Sequence, residues 1–250
     1  PEIRSFLERY LKLAHCDLFF ADCAVLVEGN VERLLLPQMI ANAAPRLQST
    51  YLTVLEIGGA FGYRFKALIE FLGLTTLIIT DLDSVFGSLG QDGEGAAPAA
   101  QPDAAEPPVE NAQDTDADDD MGDDEENVPG AAEKPGKACI AGHPGAATSN
   151  QTLLQWLPKC DTVAALWDAT AEQKIQARAN DNDALVRVAY QCRTDVTWGG
   201  ETLALAGRTL EEAFALENLE WCQDKDRRAL QLRIAKADEK NLTTLAERIH

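Results

Sequence analysis

Hydrophobic and polar positions in the first third of the chain alternate between strand-like and helix-like spacing. An unbroken apolar run at residues 24–27 ends in Glu28 and Gly29, which is typical of a buried strand that leads into a turn. Apolar residues at helical spacing follow this turn. The elements predicted in this part are, in order, a strand at 24–28, a helix at 31–43, a strand at 52–57, a helix at 64–72 and a strand at 77–81. This βαβαβ order predicts an α/β fold with a parallel central sheet flanked by helices.

Residues 87–150 interrupt the alternation with a stretch rich in Ala, Pro, Gly and acidic residues. They contain 15 acidic residues and two lysines, Lys134 and Lys137, and so carry −13 of the chain's net charge of −19. Such a composition cannot bury enough apolar surface to form a core, which predicts a disordered insertion. An EF-hand calcium loop is not indicated, because the acids lack its DxDxDG spacing.

Beyond residue 150 the pattern becomes mainly helical. The predicted elements are helices at 152–157, 162–177, 209–221 and 227–249 and a strand at 184–190. The strand can extend the parallel sheet, and the helices predict an additional helical subdomain.

Composition narrows the class of protein. With 46% hydrophobic and 25% charged residues, a collagen, a disulfide miniprotein and a wholly disordered chain are excluded. There is no apolar run of membrane-spanning length, no signal-peptide pattern at the start and no CxxC pair among the six cysteines. We therefore expect a cytoplasmic protein with reduced thiols and no membrane partner.

Acidic residues lie where the predicted strands end. Glu28 follows the first strand and Glu32 lies four residues later on the helix, whereas Asp81 and Asp83 close the third strand. The carboxyl ends of parallel strands meet at one edge of a sheet, where open α/β folds bind their ligands. Carboxylates gathered there would repel one another unless hard divalent cations neutralised them, which predicts bound Mg²⁺ or Mn²⁺. Any one of these acids alone is more simply a helix cap or a solvated turn, but their combination favours a metal site.

The order of these motifs resembles the Toprim domain shared by topoisomerases, bacterial primases and a set of nucleases. Within that fold, the chain resembles the C-terminal Toprim region of the OLD (overcoming lysogenization defect) nucleases, of the class 2 kind. The strings that carry this resemblance are LFFAD at 18–22, VLVEGNVE at 25–32, IGG at 57–59, TDLDS at 80–84 and GRTLEEAF at 207–214.

The resemblance implies a set of site residues. A lysine on a late helix is expected to be catalytic, and Lys236 fits the family's Lys-x-Asp/Glu motif better than Lys240, although Glu239 stands where an aromatic residue is usual. Glu28 is expected to be catalytic as well as a ligand. The implied metal ligands are Glu28, Glu32, Asp81, Asp83, Ser84, Glu211 and Glu212. The simpler alternatives stay open: a capped helix start for the last two acids and a solvated helix face for the lysines.

The resemblance also implies a function and partners. It implies a DNA endonuclease that nicks and cleaves, with exonuclease activity besides, through two Mg²⁺ or Mn²⁺ ions. Relatives carry a preceding ABC ATPase domain that uses ATP; this chain opens on Pro1 and has no GxxxxGK[ST] motif, so we expect a fragment without that domain. A helicase partner and a homo-oligomer of the full-length protein are further expectations. Two alternatives stay open: strand transfer of the topoisomerase or primase type, and a non-catalytic DNA-recombination scaffold.

These expectations divide the chain into four parts. They are the first part of a Toprim domain at 1–86, the acidic insertion at 87–150, a helical segment at 151–182, and the completion of the Toprim domain with C-terminal helices at 183–250.

Overall fold

The computed structural model describes residues 13–58, 62–87, 136–224, 226 and 242–249. By its internal contacts the chain divides into one unit of residues 1–88 and 134–250 and a second unit of residues 89–133. The second unit lies outside the described residues, so the description below concerns the first.

Strands and helices alternate up to Ile79, and beyond it several strands or helices follow one another. The strands are β1 Cys23–Val27, β2 Leu52–Glu56, β3 Thr75–Ile79, β4 Ser84–Phe86, β5 Ala146–Thr148, β6 Ile175–Gln176, β7 Leu185–Ala189, β8 Thr194–Trp198 and β9 Glu201–Leu205. The α-helices are α1 Asn30–Ala43, α2 Lys66–Leu72, α3 Gln151–Gln155, α4 Val163–Asp168, α5 Leu210–Glu217, α6 Leu219–Gln223 and α7 Leu242–Ile249. Short 3₁₀ helices occupy Leu13–Phe19, Pro45–Ser49 and Gly62–Phe65.

The central sheet has the strand order β2-β1-β3-β7-β6. Strands β1, β2, β3 and β7 run parallel, and the two-residue strand β6 pairs antiparallel with β7 at the edge. Strand β1 lies between two neighbours and is buried over four consecutive residues, as expected for an inner parallel strand covered on both faces. The predicted α/β class and parallel sheet are confirmed, in agreement with a Toprim fold.

The main core packs helices and loops on this sheet. Leu26, Ile78 and Val186 are fully buried on adjoining strands, and Leu153 and Trp156 of the α3 region belong to the same cluster. Burial of each aliphatic side chain is worth about 1.5–3 kcal/mol, so this cluster is the main source of stability for the sheet. Helix α1, in contrast, has no buried residue.

A second, smaller core unites the C-terminal elements. Val196 of β8, Leu216 of α5 and Leu245 of α7 lie in one buried cluster. The hairpin β8–β9 turns through Gly199 and Gly200, whose φ angles of 58° and 84° suit the two-residue loop that joins Trp198 to Glu201. The sequence pattern predicted only helices for this subdomain, so the hairpin corrects that prediction.

The acidic insertion is shorter than predicted. Residues 136–150, which were assigned to it, belong to the fold: β5 pairs antiparallel with β4, and Cys139 and Ala146 are buried in the main core. Every acidic residue of the interval precedes Lys134. The boundary was wrong because the composition was averaged over the whole stretch.

Two further predictions need correction. The helix predicted at 162–177 ends at Asp168, and β6 follows it. The third strand begins and ends two residues earlier than predicted, at Thr75–Ile79, so Asp81 lies in the loop after the strand. Among the described helices, none is both long enough and apolar enough to cross a lipid bilayer.

Candidate metal centre

Three parallel strands deliver polar residues to one edge of the sheet. Val27 is in register with Ile79, and Ile79 with Ala189, so the residues that follow β1, β3 and β7 are neighbours. The Thr80 amide donates to the carbonyl of Ala189 at 3.0 Å, which continues the pairing beyond the strands. The residues that follow these strands therefore lie close together, as predicted, because the strands are in register.

Glu28 is the first carboxylate of this edge, directly after β1. Its Oε1 accepts hydrogen bonds from the Thr80 hydroxyl, from the Asp81 amide at 3.1 Å and from Nδ2 of Asn150 at 2.8 Å. Burial raises the pKa of Glu28, and these hydrogen bonds oppose the rise because they stabilise the charged form. The side chain is thereby tied to the loop that carries Asp81.

Asp81 is the most strongly perturbed acid of the edge. Burial, and next the neighbouring charge of Glu28, raise the pKa of Asp81 to about 7. Gln191, which follows β7, opposes the rise: its Nε2 donates to Oδ1 of Asp81, while its Oε1 accepts from the Leu82 amide at 2.8 Å. Gln191 was not among the predicted site residues, since a single Gln after a strand has no sequence signature.

Asp83 lies two residues further on, where the chain turns. Its φ of 46° is in the left-handed region, which a non-glycine residue seldom adopts, so Asp83 does not close the third strand as predicted. Burial raises the pKa of Asp83, whereas the Arg208 guanidinium, whose Nη2 lies 3.9 Å from Oδ1, lowers it. The Asp83 amide donates to the Arg208 carbonyl at 3.2 Å, so the loop is joined to the string GRTLEEAF at 207–214, which is called the second acidic motif below.

The other predicted acids lie around this loop in different settings. Oε2 of Glu32 accepts from the Gly29 amide at 3.1 Å at the start of α1, which is the one half of a capping box that a glycine N-cap allows. Its negative charge is one of those that raise the pKa of Asp81. Oε2 of Glu212 accepts from the Arg208 amide at 2.8 Å, whereas Glu211 is exposed.

Ser84 and the two late lysines complete the predicted set. Ser84 is fully buried in β4 and its hydroxyl donates to the carbonyl of Cys139 at 2.6 Å. Lys236 and Lys240 lie outside the described residues, so their role stays a prediction.

Asn150 is a central residue that the sequence analysis missed. It is fully buried, and its Nδ2 lies within hydrogen-bond distance of Glu28, Thr80, the Asp81 carbonyl and Asp83. Asparagine before a helix is usually only an N-cap, and Asn150 was included in the insertion; both facts concealed it.

The oxygen atoms at this edge are of the kind that hard divalent cations bind. They are carboxylate oxygens that are largely removed from water and repel one another, and a bound cation would relieve both costs. Within the described ranges, no three His, Cys, Asp or Glu side chains are grouped closely enough to hold one ion together. Binding of one ion by three of these side chains would thus require them to move closer together, and the ligand set stays a prediction.

Comparison with known proteins adds a family to this geometry. Residues 19–83 match the family described as "Overcoming lysogenization defect protein-like, TOPRIM domain". Endonuclease GajA of Bacillus cereus (strain HuB5-5) is 41% identical over 79 residues, which are 32% of this chain and 11% of the relative. The chain thus covers only a small part of that relative, and no solved structure matches it. TOPRIM domains generally bind divalent metals, and Glu28, Asp81 and Asp83 lie within residues 19–83, which match this family.

Proposed function

We propose that this chain is the catalytic part of a divalent-metal-dependent DNA endonuclease. The observation that carries the proposal is the group of buried carboxylates after β1 and β3, where burial and mutual repulsion bring the pKa of Asp81 to about 7. Such perturbed acids in a strand-end loop are typical of catalytic and metal sites. The endonuclease name of the relative and the TOPRIM match support the same function.

The chain's own residues would hold the cations and orient them. Glu28, Asp81 and Asp83 are the nearest candidates for ligands, and Glu32 and Glu212 border the same loop. Bound divalent cations would activate water and stabilise the leaving oxygen of a phosphodiester, which is why two ions, Mg²⁺ or Mn²⁺, are proposed. Thr80, Asn150 and Gln191 would keep the carboxylates oriented through their hydrogen bonds.

Arg208 supplies a positive charge beside these acids. Its guanidinium lies 3.9 Å from Asp83, and its Nε donates to the Ser84 carbonyl at 3.3 Å, which fixes the side chain. A guanidinium in this position can bind a phosphate of DNA that approaches the loop. We propose DNA as the substrate on this basis, together with the resemblance.

Strand transfer of the topoisomerase type is disfavoured by the tyrosines that the structure describes. Burial raises the pKa of Tyr190, and its hydroxyl donates to the Leu166 carbonyl at 2.6 Å, which is unfavourable for a nucleophile. In the hydrogen bonds of Tyr51 to Asp22 and of Tyr63 to Thr152 the donor is the backbone amide, not the phenol hydroxyl. Hydrolysis is therefore preferred, and a non-catalytic DNA-binding scaffold is the second alternative.

The proposal is tested by incubating supercoiled plasmid with the chain and Mg²⁺, Mn²⁺ or Ca²⁺ in turn, with a chelator as the blank. Nicked and linear products that depend on metal are expected. A ladder of religated topoisomers would support strand transfer, and retarded but uncut plasmid would support a scaffold. Plasmid left unchanged and unbound under every metal would refute the proposal.

The wider setting is also a proposal. In the full-length protein we propose a preceding ABC ATPase domain that supplies ATP-dependent control, a homo-oligomer and a helicase partner, in the cytoplasm. Copurification of the full-length protein with and without ATP would test these partners.

A further inference from the structure

We propose that Asn150 is a positioning residue that sets the carboxylate of Glu28 relative to the Asp81–Asp83 loop and thereby tunes metal binding. The inference rests on the proposed metal-dependent function. It adds a residue that neither the resemblance nor the family match assigns, and that lies outside the matched residues 19–83.

The two ends of the Asn150 amide have separate tasks. Its Oδ1 accepts from the backbone amides of Thr152 at 3.0 Å and Leu153 at 3.4 Å, which caps α3. Since backbone amides only donate, these two contacts fix which end of the side chain is oxygen. Its Nδ2 must then point toward the loop after β3 that carries Asp81 and Asp83, which is called the acidic loop below.

The nitrogen end of the side chain lies close to four acceptor oxygens, two of which belong to carboxylates. Nδ2 lies 2.8 Å from Oε1 of Glu28, 2.8 Å from Oγ1 of Thr80, 2.9 Å from the carbonyl of Asp81 and 3.4 Å from Oδ2 of Asp83. The two hydrogens of this nitrogen are shared among the four acceptors. The side chain thus links the end of β1 to the loop after β3 through a single nitrogen.

The backbone around Asn150 is held to the same loop. The Asn150 amide donates to Oγ1 of Thr148 at 3.0 Å, and that hydroxyl donates to the Leu82 carbonyl at 2.7 Å. The Ser149 amide donates to the Asp83 carbonyl at 3.1 Å. Asn150 therefore has little freedom to move away from the acids, as a positioning residue requires.

Few other side chains could do both tasks. Aspartate would keep the cap but would lose the donor and add another negative charge to the loop. Serine would also keep the cap, but its shorter side chain cannot reach the four acceptors. Asn150→Ser and Asn150→Asp therefore separate the cap from the donor, whereas Asn150→Ala removes both.

The test compares these three variants in the full chain with Thr162→Ala, which removes the N-cap of α4 but does not touch the acids. Binding of Mn²⁺ alone is measured by electron paramagnetic resonance, thermal unfolding is measured without metal, and plasmid cleavage is measured at saturating Mn²⁺. We expect Asn150→Ser to remain folded with a lower unfolding temperature, because buried oxygen acceptors lose a donor, and to bind Mn²⁺ about 10–100-fold more weakly. Thr162→Ala should lower the unfolding temperature and leave Mn²⁺ affinity unchanged.

The outcomes separate this inference from the proposed function. Weaker Mn²⁺ binding in Asn150→Ser, with no plasmid cleavage by the wild type, would support the positioning role and refute the nuclease. Wild-type Mn²⁺ affinity in folded Asn150→Ser and Asn150→Asp would overturn the positioning role, whatever the cleavage result. Failure of the wild type to bind Mn²⁺ would overturn both.

Discussion

At the scale of single residues, burial and hydrogen bonding oppose each other around the acidic loop. Burial raises the pKa of Glu28, Asp81 and Asp83, whereas neutral donors and one guanidinium lower it. An acid with a raised pKa destabilises the folded protein once it is ionised. Without a bound cation the loop therefore lowers the stability of the folded protein, and the ionised carboxylate of Asp81 lowers it most.

The first prediction concerns Asp81→Asn. The ordinary pKa of 3.8 and the folded-state value of about 7 mean that the folded protein binds the proton more tightly, so stability should fall as the pH rises from about 4 to 7. The variant should remove this loss and raise the metal-free free energy of unfolding at pH 8 by roughly 2–4 kcal/mol. Denaturant unfolding at pH 4 and pH 8 measures it.

The same variant should lose plasmid cleavage, because a proposed ligand has lost its charge. Asp195→Asn is the control: Asp195 is exposed on β8, and its substitution changes the net charge by the same amount. A variant at 81 that is less stable than wild type at pH 8 would contradict the interpretation of crowded acids.

The second prediction concerns the late lysines. If Lys236 stabilises charge that develops in the transition state, Lys236→Ala should lower the cleavage rate by about 100-fold or more, with little change in DNA or Mn²⁺ affinity. Lys240→Ala, four residues away, is the matched control. Single-turnover cleavage and DNA-binding isotherms measure both.

A mutant at 240 that is inactive beside an active one at 236 would transfer the role to Lys240. Two fully active mutants would remove the expected lysine from the mechanism.

At the scale of elements, α5 is fixed to the sheet edge through the residues that precede it. The Arg208 carbonyl accepts from Asp83, and the Arg208 amide donates to Glu212. Gly207 is buried, and a Cβ placed on it would lie 2.2 Å from the backbone nitrogen of Ala213. The second acidic motif therefore depends on a close approach of backbone to backbone that only glycine allows.

The third prediction follows from this approach. Gly207→Ala should push the start of α5 away and should destabilise the fold by about 1–3 kcal/mol, because the clash is with backbone rather than with a flexible side chain. Gly142→Ala is the control, since nothing lies within 4 Å of its added Cβ. Thermal unfolding measures both variants, and equal unfolding temperatures would show that the approach is not required.

At the scale of the whole molecule, the acidic segment leaves and re-enters the fold at neighbouring points. The Gly136 amide donates to the Phe86 carbonyl at 2.8 Å, and the Phe86 amide donates to the Lys137 carbonyl at 2.8 Å. A linker of a few residues can therefore join Gly87 to Gly136 at a small loop-closure cost.

The fourth prediction uses this geometry. Replacement of residues 89–133 by a short Gly-Ser linker should leave the unfolding temperature and Mn²⁺ binding close to wild type, because the main core and the acidic loop lie outside that segment. A deletion extended to residue 148 should unfold the protein, because it removes β5 and the buried Cys139. Loss of Mn²⁺ binding in the folded shorter deletion would show that the segment contributes ligands.

Local sequence patterns were sufficient to predict the α/β class, the parallel sheet and the edge of the sheet at which the acids lie. A continuous apolar run such as residues 24–27 has to be buried, and parallel strands have to bring Glu28 and Asp81 to one edge. Long-range packing decided the rest. The positive φ of Asp83, the Gln191 contact, the return of residues 136–150 to the core and the donors of Asn150 depend on groups more than 60 residues apart in sequence or on backbone turns. Periodicity reports only which face of a local segment is apolar, so it cannot identify such partners.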